Sequence, residues 1–255
     1  LMLKKYTCLI AAVLIMSPML MAQTLEEVVV TAQIREQSLQ DVPISISAIS
    51  GEDIADRSVD NLQSLSASVP NFMVVETQID TSISIRGVRS GANKGFEQSV
   101  PMNFDGISYP RSQLARTPLV DLERVEVLRG PQPTLFGKNA IGGVVNVTSA
   151  KPTEEFEGKF STSHESEHGE DQSLLVLSGA LSESVLGRLT VSTREMDGWI
   201  TNTNMKRLEP QRDETYIRGQ LAWTSGDVDY NLKVETADFD STGYAMEAIA
   251  PQDGY

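Results

Sequence analysis

A glycine- and proline-rich bend between two valine-rich segments, within residues 121–152 (DLERVEVLRGPQPTLFGKNAIGGVVNVTSAKP), constrains the fold of this chain more than any other stretch. Val125 and Val127 precede the bend, and Val145 and Val147 follow it. These β-branched residues recur at the two-residue spacing of a strand. The glycines and prolines between them permit tight turns and break helices. The pattern predicts strand, bend and strand, with no helix between the strands.

The same stretch resembles a known family. Residues 123–147 (ERVEVLRGPQPTLFGKNAIGGVVNV) are similar to the plug domain of TonB-dependent outer-membrane receptors, whose common form is ER-(I/V)-E-V-(L/I)-RGP, then LYG, then GG-(V/A)-(I/V)-N-(I/V). Phe136 stands where the family usually has tyrosine. The resemblance extends upstream to Glu26 and downstream to the end of the chain. It implies an α+β plug domain followed by the first strands of an antiparallel transmembrane β-barrel, which has about 22 strands in the complete family type.

The first 22 residues predict a secretory signal peptide. Lys4 and Lys5 precede a compact apolar run, LIAAVLIM, and Ala22 ends a plausible cleavage site. The apolar run is shorter than the roughly 20 residues that span a bilayer, which argues against the alternative of a membrane anchor. Cleavage would remove Cys8, the only cysteine, so the mature chain is expected to have neither a disulfide nor a reactive thiol.

The charge of the chain excludes one class of partner. Its formal net charge is −14 at pH 7. An exported protein this acidic would repel a phosphate backbone, so we expect no nucleic-acid partner.

Two segments imitate enzyme motifs. His164-Glu165-Ser166-Glu167-His168 has the H-E-x-x-H spacing of zinc proteases, and it contains both histidines of the chain. Its flanks are polar and offer no apolar face for a helix, and on a strand the histidines would lie about 13 Å apart, too far for one zinc ion. A polar hairpin loop is therefore predicted. Gly137-Lys138 lacks the spacing and the Ser/Thr of a P-loop. We expect no enzyme, no cofactor and no metal site.

A strand-forming segment follows the cleavage site. Its residues are Glu26, Glu27, Val28, Val29, Val30 and Thr31. No turn signal or second strand is evident nearby, so the pattern leaves two interpretations open: an unpaired strand that joins the sheet of a partner, or a first strand tucked against the following domain. The resemblance implies the former, a TonB box within residues 23–39, whose partner is TonB of the inner-membrane energy-transducing complex.

Residues 40–152 predict one compact α+β unit. Residues 42–49 alternate as a strand does, and Ser50 then has the features of a helix N-cap. Ser58 is predicted to cap a second short helix. Asp105-Gly106 predicts the turn of a β-hairpin.

Past Pro152, within residues 153–255, the sequence predicts about five strands with two unlike faces. Residues 215–223 and 228–235 alternate apolar with polar side chains. This period is typical of a transmembrane barrel with one face to lipid and one to a wet lumen, although a soluble sandwich would show it too. Five strands cannot close a barrel, so we expect the chain to be the N-terminal part of a longer receptor.

The resemblance also implies roles for charged residues. Arg86 and Arg129 match the two plug arginines that meet carboxylates of the barrel wall, which would lie beyond this sequence. Glu123, Arg124 and Glu126 are expected to form a charge cluster within the plug. The alternative for the arginines is ordinary solvated surface charge.

The function implied by the resemblance is TonB-dependent active import of a scarce extracellular ligand across the Gram-negative outer membrane, in contact with outer-membrane lipid. A ferric siderophore is the family default, while cobalamin, haem, other metals and glycans stay open. The alternative is a non-transporting outer-membrane signalling or ligand-binding receptor on the same scaffold. A passive porin would not need so long a plug.

Overall fold

The computed structural model describes residues 29–30, 37–38, 42–76, 81–90, 97–111, 115–167 and 169–243. The predicted signal peptide and four residues of the predicted TonB box, Glu26, Glu27, Val28 and Thr31, lie outside the described residues. The strands before the main bend are β1 Val29–Val30, β2 Gln37–Ser38, β3 Ser45–Ser50, β4 Phe72–Glu76, β5 Thr81–Ile85, β6 Val88–Arg89, β7 Met102–Phe104, β8 Ile107–Tyr109 and β9 Leu122–Arg129. The later strands are β10 Gly143–Ser149, β11 Glu157–Glu165, β12 Glu170–Ser182, β13 Val185–Met196, β14 Ile200–Asn202, β15 Arg207–Glu209, β16 Gln211–Ser225 and β17 Val228–Thr242. The helices are α1 Gly51–Asp56, α2 Leu62–Ser66 and α3 Pro133–Phe136.

The part of the chain between residues 42 and 152, called the N-terminal unit below, is built on a five-stranded sheet in the order β3-β9-β10-β7-β8. β9 and β10 pair antiparallel, with Val127 opposite Val145, and β10 pairs parallel with β7. Val125, Val127, Val145 and Val147 are fully buried on one face, where α1, α2 and the small sheet β4-β5-β6 contribute to the same core. The predicted strand–bend–strand stretch is therefore the centre of this unit.

The two predicted helix starts turned out differently. Ser50 caps α1 as expected, because its hydroxyl accepts the backbone N–H of Asp53 at 3.0 Å. Ser58 does not cap α2. It lies in a turn with φ of +52°, and Asn61 is the cap, accepting the N–H of Ser64 at 2.8 Å. The Ser58 prediction was wrong because Asn is at least as good a cap and stands nearer the buried residues.

The prediction of no helix in the bend was wrong, because the bend contains a short one. α3 begins at Pro133, a position where a helix tolerates proline because its missing N–H would have no partner anyway. At the end of the bend only glycine fits at position 143, because a Cβ there would lie 2.2 Å from the carbonyl oxygen of Leu128. That close approach starts the β9–β10 pairing.

The valine segment near the N-terminus is paired. Val29–Val30 forms an antiparallel ladder with Gln37–Ser38, so the expectation that no second strand lies nearby was wrong. Val30 is fully buried and packs with Val42, Leu128 and Val144 on the second face of the central sheet. The polar residues between the two short strands had concealed the pairing.

The later strands β11, β12, β13, β16 and β17 form one antiparallel sheet in that order, called the strand wall below. Its inward face contacts the N-terminal unit and buries Thr190, Tyr216 and Arg218. Its outward face carries exposed large apolar side chains, among them Phe160 and Val234. The predicted strands with two unlike faces are confirmed. In the described part of the chain, no helix is long and apolar enough to cross a membrane.

The two ends of the strand wall differ in the length of their connections. Two-residue turns join β12 to β13 and β16 to β17 at one end. At the other end β11 and β12 are joined by four residues, and residues 197–210, which include the hairpin β14–β15, connect β13 to β16.

Candidate functional site

A buried cluster of charged side chains lies between the N-terminal unit and the strand wall. Asp121, at the start of β9, accepts two hydrogen bonds from Arg188 of β13, at 2.9 and 2.5 Å. Arg218 of β16 donates to the same carboxylate at 2.9 Å and to the Asp121 carbonyl at 2.5 Å. Thr190 also donates to the carboxylate. One aspartate of the N-terminal unit is thus held by three side chains of the wall.

This cluster is almost closed to solvent. The side chains of Asp121 and Arg188 are each 5% exposed, and that of Arg218 is 2% exposed. Burial alone would raise the pKa of Asp121. The hydrogen bonds from Arg188 and Thr190 and the charge of Arg218 outweigh that effect and hold its pKa below the ordinary value. The aspartate therefore stays ionised between two arginines at neutral pH.

The two arginines also bind the segment that leads from the N-terminal unit into the wall. Arg188 donates to the carbonyl of Lys151 at 3.2 Å and to Glu157 at 3.0 Å. Arg218 donates to the hydroxyl of Ser149 at 3.2 Å, and its guanidinium lies 5.8 Å from the ring centre of Tyr216. The cluster fastens both the residue directly before β9 and the exit of β10.

A second group of contacts joins the helical side of the N-terminal unit to the wall. Asp60 pairs with Arg194 of β13 at 3.1 Å. Arg194 also pairs with Glu170 of β12 at 2.9 Å. Glu76 of β4 pairs with Arg212 of β16 at 3.3 Å.

A third contact lies at the β7–β8 hairpin. Asp105, in its turn, pairs with Lys233 of β17 at 2.6 Å and accepts the backbone N–H of Ser149 at 2.8 Å. Burial would raise the pKa of Asp105, but the bonds from Lys233 and Ser149 prevail and lower it. The hairpin turn predicted at Asp105-Gly106 is present, and its aspartate serves as a further link to the wall.

In the ion pairs that join the two parts of the chain, the acidic partner belongs to the N-terminal unit and the basic partner to the strand wall. Four carboxylates of the N-terminal unit face basic side chains on the inward face of the wall: Asp60, Glu76, Asp105 and Asp121. The resemblance implied the reverse arrangement, with arginines of the plug facing carboxylates of the wall. Sequence reasoning missed all four. The sequence did contain one signal for these contacts. Arginines recur on the inward face of β13 and β16, whereas the outward face of these strands carries apolar side chains.

The two arginines singled out from the sequence lie elsewhere. Arg129 donates to the carbonyls of Pro70 and Ile46, at 3.3 and 3.4 Å, inside the N-terminal unit. Arg86 is exposed and lies beside Gly130. Among the described residues neither arginine pairs with the strand wall. Their proposed partners were expected beyond this sequence, so that assignment stays a prediction.

The structure brings together the three residues expected to form a charge cluster. Arg124 pairs with Glu123 and donates to Glu126 at 2.8 Å. Glu126 is fully buried and also accepts from the side chain of Asn146 at 2.9 Å. This cluster links β9 to β10 within one sheet. Its contacts therefore stabilise the N-terminal unit itself.

Residues 164–167, the described part of the H-E-x-x-H segment, do not form the helix that the zinc motif needs. His164 and Glu165 end the strand β11, and His164 contacts Asp171 of the neighbouring strand at 2.8 Å. His168 lies outside the described residues. No group of three or more His, Cys, Asp or Glu side chains that could hold a metal occurs in the described part of the chain.

Comparison with known proteins identifies a match to a family model in the first part of the chain. Residues 38–144 match the model of the TonB-dependent Receptor Plug Domain. The iron-regulated outer membrane virulence protein of Vibrio cholerae is 36% identical over 185 residues, which are 66% of this chain and 28% of that protein. The vitamin B12 transporter of Vibrio vulnificus is 34% identical over 139 residues, 52% of this chain and 22% of that protein.

A solved structure shows the same fold. The ferric yersiniabactin uptake receptor from Yersinia pestis superposes with a TM-score of 0.68 at 24% identity, over 76% of this chain and 31% of that one. The chain thus spans between about a fifth and a third of the length of these relatives. A match over 76% of this chain is longer than the part before or the part after Pro152, so it includes residues of both.

Proposed function

This chain belongs to the TonB-dependent receptors of the outer membrane, and we propose that the whole receptor imports a scarce extracellular ligand through its barrel with energy supplied by TonB. The N-terminal unit corresponds to the plug of that fold and the strand wall to its barrel strands. The family consists of transporters and receptors rather than enzymes.

The observation that carries the proposal is the way the plug is fastened. It contacts the wall through a small number of ion pairs, of which the Asp121 cluster is the most buried. Ion pairs are directional and are lost once their partners separate by a few ångströms, because water then solvates both charges. A plug held in this way closes the lumen at rest and can be displaced by a pulling force.

The proposed point of pulling is the segment Glu26 to Thr31. Extended residues of this kind bind a partner by adding a strand to its sheet through backbone hydrogen bonds. Val29 and Val30 are strand residues here, although they pair with Gln37 and Ser38 rather than standing free. Since this ladder is only two residues long, few backbone hydrogen bonds have to break before TonB can replace it.

For the ligand we propose a ferric siderophore. The name of the Vibrio cholerae relative points to iron regulation, and the fold neighbour takes up a ferric chelate. The vitamin B12 transporter among the relatives makes cobalamin the alternative to test beside it.

The proposal is tested with the full-length receptor in a Gram-negative strain that lacks its own siderophore and cobalamin receptors. Accumulation of labelled ferric siderophores and of labelled cobalamin is measured with and without TonB. Energy-dependent accumulation of a ferric siderophore, absent without TonB, supports the proposal. Ligand binding without accumulation in the presence of TonB would contradict transport and favour the signalling or binding alternative.

A further inference from the structure

Three glycines interrupt the apolar outward face of the strand wall. Along β12, β13 and β16 the inward positions are taken by Ser178, Arg188 and Arg218, so Gly179, Gly187 and Gly219 point outward by alternation. Gly179 lies directly opposite Gly187 in the ladder between β12 and β13. On the next strand Gly219 lies opposite Leu189. Where side chains are missing, the backbone itself becomes the floor of a depression.

The depression is a groove of about 460 Å³. Its walls are apolar side chains from four strands and from the residue before β11, namely Phe156, Leu181, Leu189, Leu221, Leu232 and Val234. This volume falls in the range of roughly 300–1,000 Å³ that is typical of pockets for small organic molecules. Arg188 is the charged residue among those that line the groove, but it stands at an inward position and its guanidinium binds Asp121, so the groove suits a hydrocarbon.

Gly187 and Gly219 differ in the free space that a side chain would find at each position. A Cβ at Gly187 would lie 2.7 Å from Leu181, which leans over that position. A Cβ at Gly219 would have nothing within 4 Å, and the backbone there does not have a positive φ. The backbone therefore does not require glycine at position 219, where the absence of a side chain leaves the groove open.

The orientation of the wall decides which lipids reach the groove. Outer-membrane barrels have short periplasmic turns and longer extracellular loops, so the two-residue turns mark the periplasmic end. Near that end the rings of Trp223 and Tyr230 stack with their centres 5.2 Å apart, as interface aromatics do.

Gly219 is four residues from Trp223, which is about 13 Å along the strand and about 9 Å of depth for a strand tilted by roughly 45°. The groove therefore opens into the periplasmic half of a hydrocarbon core about 30 Å thick. It is continuous with the apolar surface that faces the membrane.

We propose that this groove, with Gly219 as its floor, is a binding site for one acyl chain of a phospholipid from the periplasmic leaflet. The bound chain fills space that the wall's own side chains leave empty, so it acts as part of the packing of β13, β16 and β17. The proposal requires only that the strand wall lies in the outer membrane. It is independent of transport and of the ligand.

The test uses the full-length receptor extracted from membranes in a mild detergent and examined by native mass spectrometry. The wild type is expected to retain one phospholipid. Gly219→Leu fills the groove and should lower the retained fraction by about tenfold. Thr236→Leu is the matched control, because it adds the same side chain to the outward face of β17 outside the groove, and it should retain lipid as the wild type does.

Leu232→Ala provides a second variant that does not add bulk. It lowers one wall of the groove and should also reduce retention, so the proposal stays testable if Gly219→Leu does not assemble. Equal retention by wild type, Gly219→Leu and Leu232→Ala would overturn the site. Retention of lipid A in place of phospholipid would overturn the assignment to the periplasmic leaflet.

Discussion

Replacing Asp121 with asparagine should loosen the plug without unfolding the strand wall. The substitution keeps the size of the side chain and removes its charge. Asp121 has a φ of +52°, a conformation that asparagine adopts as readily as aspartate. The backbone therefore remains satisfied, and the change isolates the charge.

The expected loss of stability depends on which partners the two arginines keep when the charge of Asp121 is removed. Arg188 keeps its contact with Glu157, which is half exposed. Arg218 keeps only neutral partners, the hydroxyls of Ser149 and Tyr216 and backbone carbonyls, within the described residues. Removing one partner of a buried ion pair costs about 3–5 kcal/mol, because it leaves an uncompensated charge. We expect a loss of about 3 kcal/mol, at the low end of this range, since Glu157 and the neutral acceptors remain.

The assay is hydrogen exchange of backbone amides in the full-length receptor, followed separately in the plug and in the wall. A loss of about 3 kcal/mol should speed the exchange of β9 and β10 by about 100-fold, if these strands exchange through release from the wall. The amides of β12 and β13 should change far less, because their ladder does not depend on Asp121.

The control is Asp53→Asn. Asp53 also pairs with an arginine, Arg57, at 3.3 Å, but both side chains are more than half exposed. An exposed pair of this kind contributes about 0.5 kcal/mol or less. The reasoning is refuted if β9 and β10 exchange alike in Asp121→Asn and wild type, or if Asp53→Asn has an effect of the same size.

Three further predictions concern other parts of the chain. Val29→Pro should abolish uptake with ligand affinity unchanged, because proline removes a backbone donor from the proposed TonB contact; paired measurements of binding and accumulation on whole cells check this, and unchanged uptake would contradict it. The pKa values of Asp105 and Asp121 are lowered in the folded state, so their contribution is complete above the unfolded pKa of about 4 and is lost as the pH falls below it; plug amides should stay protected from pH 7 to 5 and lose protection below about pH 4, and loss near pH 6 would show that other groups control attachment. Zinc titration should give the same result for the wild type and for the His164→Ala/His168→Ala variant, since His164 and Glu165 belong to a strand and not to a helix; a tight site lost on mutation would disprove this.

Local patterns were enough to predict the central part of the fold. Valine spacing and the glycine-rich bend predicted β9 and β10, and Asp105-Gly106 predicted the β7–β8 turn. These features depend on residues close together in the sequence, where backbone preferences decide the structure. Alternation likewise predicted the strands of the wall, most clearly β16 and β17, where apolar outward residues such as Leu221 and Leu232 alternate with polar inward ones such as Gln220 and Lys233.

Contacts between distant residues could not be predicted in the same way. Asp121 and Arg218 are 97 residues apart, and nothing in either local sequence names the other. The family pattern drew attention to Arg86 and Arg129, since their motifs are distinctive, whereas Asp121 stood at the edge of the motif as an ordinary charge. Pairing of β1 with β2 escaped notice for a related reason, since two-residue ladders have no periodicity.

The burial pattern explains why these ion pairs matter for the whole plug. In the described part of the chain, both buried apolar clusters consist of residues between Val30 and Val147, and neither includes a residue of the strand wall. The plug therefore has an apolar core of its own, and leaving the wall does not separate the residues of that core. The cost of release is concentrated in the ionic contacts, above all those of Asp121, and charges can be resolvated in a wet lumen as they separate. An apolar interface of the same size would resist displacement over its whole area, whereas this one depends on a few side chains that can be changed singly.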